Sequence, residues 1–255
     1  MEQIADIRGT IIQNIAIIPG YHLASIRLAT PMPPPRPGQF VMISIPSREV
    51  FLRRPFSIYE YGDGVLSILY KVTGKGTGLL ASAGQNDEIM VLGPLGNGFT
   101  VLPDHRAAIV AGGIGLAGIR LLWLSMKGRA SLYWGCTNQA EGSLLSGFYS
   151  GDPLISTIDG SLGCKGNVVE LFAQHLPQLD RPLQVFACGP EAMFLSLRQT
   201  LDNKERVPCQ VLVEERMACG LGICFGCVKR TTDDVEPYKR VCKEGPVFDL
   251  WQICL

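Results

Sequence analysis

The chain has 255 residues, nearly half of them apolar, enough for one large core or for two to three small ones. Its 23 Lys and Arg balance 23 Asp and Glu with no basic stripe, so nucleic-acid binding has no electrostatic support. The opening MEQIADIRGT carries charge early, the longest apolar stretch (residues 107–119) is too short and glycine-rich to span a bilayer, and nine cysteines without an export signal suit a reducing cytoplasm.

Residues 1–101 read as β structure. Short β-branched runs at 11–18, 22–29, 40–45, 65–72 and 87–92 alternate with turn signals at Pro19-Gly20, in the proline-rich stretch 31–38 and at Gly62-Asp63-Gly64. That pattern predicts an antiparallel barrel or sandwich. Within it, Arg53-Arg54-Pro55-Phe56-Ser57 offers a guanidinium able to fork onto a diphosphate and a hydroxyl able to reach a ring nitrogen. A plain strand and turn explains the same string. Leu69-Tyr70-Lys71 follows, and then Gly74-Lys75-Gly76-Thr77-Gly78 opens a short helix whose N–H groups suit an anion. An ordinary helix cap is the alternative there.

Residues 102–208 alternate differently. Strands are expected at 107–111, 131–135, 154–158 and 183–188, with helices at 119–126, 168–176 and 191–201. This is the pattern of βαβ units on a parallel sheet. Gly112-Gly113-Ile114-Gly115 directly follows the first strand, as a dinucleotide pyrophosphate turn would, although the full G-x-G-x-x-G with a later acidic residue is missing. Cys188-Gly189-Pro190-Glu191 ends a strand and starts a helix, at the sheet edge where open α/β folds bind ligands. No Arg/Lys cluster follows 131–135, which favours NAD over NADP. Asp159-Gly160-Ser161 suits either a cofactor contact or a plain turn. His22, His105 and His175 show no metal spacing and read as surface or satisfied side chains.

Residues 209–255 are too few for a core of their own. They carry Cys219, Cys224, Cys227 and Cys242, spaced C-x4-C-x2-C-x14-C, the plant-ferredoxin-type arrangement for a [2Fe–2S] cluster. Gly220, Gly222 and Gly226 between them let N–H groups turn toward sulfur. Zinc remains an alternative, although structural zinc usually takes two short hooks rather than three ligands on one loop. Disulfides suit neither the spacing nor the compartment. Cys136, Cys164, Cys188, Cys209 and Cys254 read as buried fillers.

In this order the motifs resemble the ferredoxin–NADP reductase superfamily. The strings RRPFSI, ILYKV-x-GKGT, LGPLGNGF, EERMACGLGICFGC and YKRVCKEGPVFD are similar to the electron-transfer subunits of dihydroorotate dehydrogenase B. The resemblance implies a multidomain fold: a FAD-binding β-barrel over 1–101, a NAD-binding α/β domain over 102–208 and a [2Fe–2S] domain over 209–255. It places FAD against Arg54, Pro55, Phe56 and Ser57 and against Leu69, Tyr70 and Lys71, with the pyrophosphate at Gly76 and Thr77. It places NAD at Gly112, Gly113 and Gly115 and at Cys188 and Gly189, and the cluster on the four tail cysteines. It implies an FMN-containing catalytic partner in a heterotetramer of two plus two, which oxidises dihydroorotate in pyrimidine biosynthesis and passes electrons through cluster and FAD to NAD+. The subunit itself would be cytoplasmic, with no catalytic residue for dihydroorotate. Reductase subunits of a ferredoxin transhydrogenase, a sulfide dehydrogenase or an oxygenase are the neighbouring alternatives. One departure stands out: where the family commonly has proline after GGIG-x-x, this chain has Gly118.

Overall fold

The computed structural model describes residues 4–145, 152–202 and 206–255. The first three residues of the opening segment, and 146–151 and 203–205 of the expected nicotinamide domain, lie outside the described residues.

The N-terminal half is an antiparallel sheet of β1 (Ala5–Ile18), β2 (Tyr21–Leu28), β3 (Phe40–Ile43), β4 (Arg54–Ser57), β5 (Glu60–Gly62), β6 (Val65–Lys71) and β7 (Glu88–Leu95), in the order β4-β3-β7-β1-β2-β6-β5. A short helix α1 (Lys75–Ala81) links β6 to β7. The sheet curls until β4 and β6, which share no ladder, pack together as a half-barrel. Ile11, Ile26, Val41, Ile43, Ile68 and Val91 fill its interior with no exposed surface. The stretch 54–57 proves to be an edge strand, paired only with β3 from Phe40↔Ser57 to Ile43↔Arg54. An edge tolerates Pro55, which has no N–H for a second ladder.

The second sheet contains β8 (Arg106–Gly112), β9 (Ala130–Cys136), β10 (Leu154–Thr157), β11 (Cys164–Lys165), β12 (Leu183–Cys188), β13 (Cys209–Leu212) and β16 (Val247–Asp249). Their order is β11-β10-β9-β8-β12-β13-β16, and all but β16 run parallel. Helices α2 (Leu116–Met126), α4 (Val168–His175) and α5 (Glu191–Leu201) cover it, with the short α3 (Gln139–Gly142) after β9. Burial on both faces explains why β8 is apolar from Ala107 to Ala111 and why β12 is apolar but for Gln184, whose side chain bonds Thr100 O and Leu102 N. From β8 the chain winds outward to β9, β10 and β11, then returns to lay β12 on the opposite side of β8. The carboxyl ends of β8 and β12 therefore flank a topological switch point, where open α/β sheets bind ligands.

Residues 209–212, expected to open the cluster segment, instead continue this sheet, pairing Val185↔Cys209 through Cys188↔Leu212. Cys209, Val211 and Leu212 are fully buried there, and four residues are too few to show a period in sequence. The tail also returns β16 to the sheet edge. Between these strands run the cysteine loop and a hairpin of β14 (Val228–Arg230) and β15 (Tyr238–Arg240). Arg198 Nη2 on α5 donates to the carbonyls of Leu250 (2.7 Å) and Ile253 (2.6 Å), and Trp251 Nε1 donates to Val207 O (3.0 Å), clamping the tail to the α/β sheet. Among the described residues no helix is long and apolar enough to cross a membrane.

Candidate functional site

The half-barrel opens into a cavity of about 690 Å³. Arg54, Pro55, Phe56 and Ser57 of β4 form one wall, Leu69, Tyr70 and Lys71 of β6 another, and Thr77 closes an end. Gly76 sits just behind: a Cβ built on it would lie 2.6 Å from Arg54 Nε, so only glycine lets the guanidinium rest against α1. Arg54 Nη1 also donates to the Leu52 carbonyl. Thr77 Oγ1 accepts from the N–H groups of Thr73 (2.9 Å) and Gly74 (3.1 Å), fixing the GKGT turn. Tyr70 donates its hydroxyl to Asn14 Oδ1 at 3.0 Å, stacks on His22 and meets Phe56 edge-on. Burial pushes the Tyr70 phenol up to about 12, so it stays neutral. Aromatic and aliphatic walls, with Arg54, Lys71 and Arg216 among the lining side chains, suit a flat ring system carrying phosphate.

A second cavity, about 720 Å³, lies at the switch point between β8 and β12. Gly112, Gly113 and Gly115 line it from one turn, Gly189, Pro190 and Glu191 from the other. The two turns touch. A Cβ on Gly115 would lie 2.2 Å from the Cys188 carbonyl oxygen, and one on Gly112 would meet Met193 and Pro190 at 3.0 and 3.1 Å. Gly113 takes φ +53°. Cys188 itself is buried behind the turns, its thiol pushed well above the ordinary range by desolvation. Gly118 is the third residue of α2, within its first turn, and a side chain there would crowd Cys188 Sγ at 2.9 Å and approach Ser57 Oγ at 3.4 Å. Glycine at 118 thus lets the helix close on both domains.

The two cavities adjoin: Lys71, Ile114, Val213 and Glu214 border both. Water reaches Glu214 through the openings, yet protein crowds its carboxyl closely enough that desolvation raises its pKa. At the far side, Glu141 ties the domains together. It accepts from Tyr21 Oη (2.7 Å) and Thr137 N (2.7 Å), and Lys71 Nζ lies 3.4 Å away. Burial pushes the Glu141 carboxyl up, but these donors outweigh it and hold it below the usual carboxylate range.

The cysteine loop wraps a third centre. Gly222 N donates to Cys242 Sγ (3.1 Å), Leu221 N to Cys219 Sγ (3.4 Å) and Cys242 N to Cys227 Sγ (3.4 Å). Gly220 and Gly222 adopt positive φ; at the next turn Phe225 (φ +55°), not Gly226, takes that role. Burial would raise the Cys219 thiol, but N–H groups of Cys224, Leu221 and Ile223 overcome it and draw it down to about 6. Burial first, and then the neighbouring Cys227, push Cys242 up to about 12. Among the described residues no three His, Cys, Asp or Glu side chains gather tightly around a single-ion position. Four thiols in the tail, three of them (Cys219, Cys227 and Cys242) accepting from amide N–H groups, match the donor set and hydrogen bonding of an iron–sulfur cluster. Cys227 and Cys242 are buried, Cys224 is exposed, and Ile223 (75%) and Phe225 (60%) stand out beside it. On its inner side the loop rests on the barrel, where a Cβ on Gly220 would overlap Met42.

Comparison with known proteins accords with this geometry. The iron-sulfur cluster binding domain of dihydroorotate dehydrogenase B matches residues 214–254. The dihydroorotate dehydrogenase B (NAD(+)) electron transfer subunit of Caldanaerobacter subterraneus subsp. tengcongensis is 40% identical over 217 residues, 84% of this chain and 85% of the relative. That of Clostridium acetobutylicum is 37% identical over 238 residues, 92% of each. The chain belongs to the dihydroorotate dehydrogenase B electron transfer subunit family. In solved structures, the fold is shared with an NADH-dependent reduced ferredoxin-NADP oxidoreductase (TM-score 0.85, 24% identity, 96% of this chain and 89% of that one). It is shared also with phthalate dioxygenase reductase (TM-score 0.65, 17% identity, 93% and 94%).

The motifs read from sequence fall at three distinct places in this structure: β4, β6 and α1 on the barrel cavity, the two glycine turns on the switch point, and the four cysteines in the tail, three on one loop and Cys242 beside it. Asp159 instead caps its own turn, accepting from Ser161 N (2.9 Å) and Oγ (2.6 Å). His105 and His175 bond nearby carbonyls. Cys164 is exposed rather than a core filler. Tyr21, Glu141 and Lys229, which line the second cavity, carried no motif, and Glu214 beside them opens the string EERMACGLGICFGC but was given no role there; the fold brings them together from distant positions.

Proposed function

We propose that this subunit carries electrons from an FMN-containing dihydroorotate dehydrogenase partner through a [2Fe–2S] cluster and FAD to NAD+, as the closing redox steps of dihydroorotate oxidation in pyrimidine synthesis. The observation that carries the reading is the contiguity of the three centres: the cysteine loop packs on the barrel, and the barrel cavity opens into the switch-point cavity. When bound, a flavin exchanges both hydrides and single electrons, so it belongs between a nicotinamide and a cluster. The protein residues bind and orient. Arg54, Gly76 and Thr77 hold the FAD diphosphate, while Pro55, Phe56, Ser57, Leu69, Tyr70 and Lys71 hold its ring and ribityl portions. Gly112, Gly113, Gly115, Cys188 and Gly189 let a nicotinamide dinucleotide approach the backbone. Cys219, Cys224, Cys227 and Cys242 ligate the cluster. The domain ranges 1–101, 102–208 and 209–255 follow this division of labour, with β13 and β16 of the last lent to the central sheet.

The exposed face around Ile223 and Phe225 is the docking face for the catalytic partner in a heterotetramer of two plus two. Because the proposal assigns oxidation of dihydroorotate to the partner, the purified subunit is expected to reduce a dye with NADH and to leave dihydroorotate untouched. Turnover of dihydroorotate without the partner, or no NADH-dye activity in flavin-loaded protein, would contradict the proposal.

A further inference from the structure

The nicotinamide cavity has one wall that belongs to the cluster segment. Lys229, on β14 two residues beyond Cys227, reaches into it with its side chain 12% exposed. Its Nζ lies 2.5 Å from Glu191 Oε2 and 3.8 Å from Glu215 Oε1. Glu191 is the first residue of α5, immediately after the Cys188-Gly189-Pro190 turn, and the helix has no side-chain cap. The N-terminus of an eleven-residue helix attracts anions, and here it borders the cavity proposed for a dinucleotide. A bare carboxylate at that first position would compete for the helix end and repel a diphosphate.

We infer that Lys229 is a positioning residue for the nicotinamide nucleotide: by neutralising Glu191 at the mouth of α5 it keeps the cavity receptive to a dianionic diphosphate, and so makes nucleotide affinity depend on the fold of the cluster segment. The inference rests on the reading of this cavity as the nicotinamide site. It assigns the lysine a role through Glu191 and not a direct contact with the nucleotide, and the two are separable by rescue.

The test uses the full chain with its flavin and cluster and titrates NAD+ and NADH by calorimetry and by flavin fluorescence. Lys229→Met is expected to weaken binding about tenfold, the order expected of a like charge several ångströms away at intermediate dielectric. Lys229→Arg retains the affinity of the unmodified chain. Glu191→Gln binds within about twofold of it. The double variant Lys229→Met/Glu191→Gln recovers to within about threefold, because the carboxylate at the mouth of α5 is gone and Glu215, at 3.8 Å from Lys229 Nζ, is the more distant partner. Iron content and cluster absorption unchanged in every variant show that the loop is intact. Unchanged affinity in Lys229→Met would overturn the inference, as would a double variant as weak as the single one. If the unmodified chain bound neither nucleotide, the cavity assignment itself would fall, a result distinct from normal binding that ignores Lys229.

Discussion

Gly76→Ala separates the fold from the ligand it is proposed to hold. Gly76 is the second residue of α1 with ordinary helical backbone, so alanine fits without strain and favours the helix by about 0.5–1 kcal/mol. Its new Cβ, however, would stand 2.6 Å from Arg54 Nε and 3.1 Å from Cζ and Nη2. A guanidinium is the free end of a long side chain, so it swings away at little cost to the fold. It then abandons the position set by the Leu52 carbonyl. If that position grips the FAD diphosphate, losing one charge-assisted hydrogen bond costs about 1.5–3 kcal/mol, or about ten- to a hundredfold in Kd. The assay strips the flavin, titrates it back by fluorescence quenching and melts the flavin-free protein in parallel. The expected pair of results has opposite signs: an unchanged or higher melting temperature, and a weaker FAD Kd. An FAD Kd within about twofold of the unmodified protein would refute the placement of Arg54. A flavin-free protein that melts markedly lower would show that Gly76 serves packing alone.

Gly115→Ala drives a Cβ to within 2.2 Å of the Cys188 carbonyl; backbone must part there, so stability should fall by about 1–3 kcal/mol and the KM for NADH should rise, with FAD content kept. Glu141→Gln removes the carboxylate that joins Tyr21, Thr137 and Lys71 across the domain boundary. Because that carboxyl is held below its ordinary value, its stabilisation is present above the ordinary carboxylate pKa and disappears as pH falls through the lowered one. Denaturant melts should therefore show a deficit of about 1–2 kcal/mol near neutrality that closes in acid, and a pH-independent deficit would count against the network. Phe225→Asp keeps a residue type that tolerates positive φ while charging the exposed face; iron content should persist and co-purification with the catalytic partner should drop. Retained co-purification would move the docking face elsewhere.

Much of this architecture was legible because its signals are local. Strand runs between Pro-Gly and Gly-Asp-Gly turns, the GGIG and CGPE turns after apolar strands, and the cysteine spacing each need only a handful of adjacent residues. Less legible was whatever depends on partners distant in sequence. β13 is too short to show a period, so its place beside β12 comes only from the fold. Arg54 and Gly76 are twenty-two positions apart, yet each decides what the other can be. Tyr21 and Glu141 meet across 120 residues, and Lys229 reaches Glu191 across thirty-eight. The φ values of the loop were not legible either: Phe225 rather than Gly226 bears the left-handed turn, with Arg240 over its ring at 4.8 Å.

Anaerobic purification followed by iron and sulfide analysis, and by EPR after reduction with NADH, tests the relay most directly. The account predicts two irons and two sulfides per chain, and a [2Fe–2S] signal that NADH elicits only when flavin is bound. Protein that carries flavin but no iron, or a cluster that NADH cannot reduce through the flavin, would contradict it.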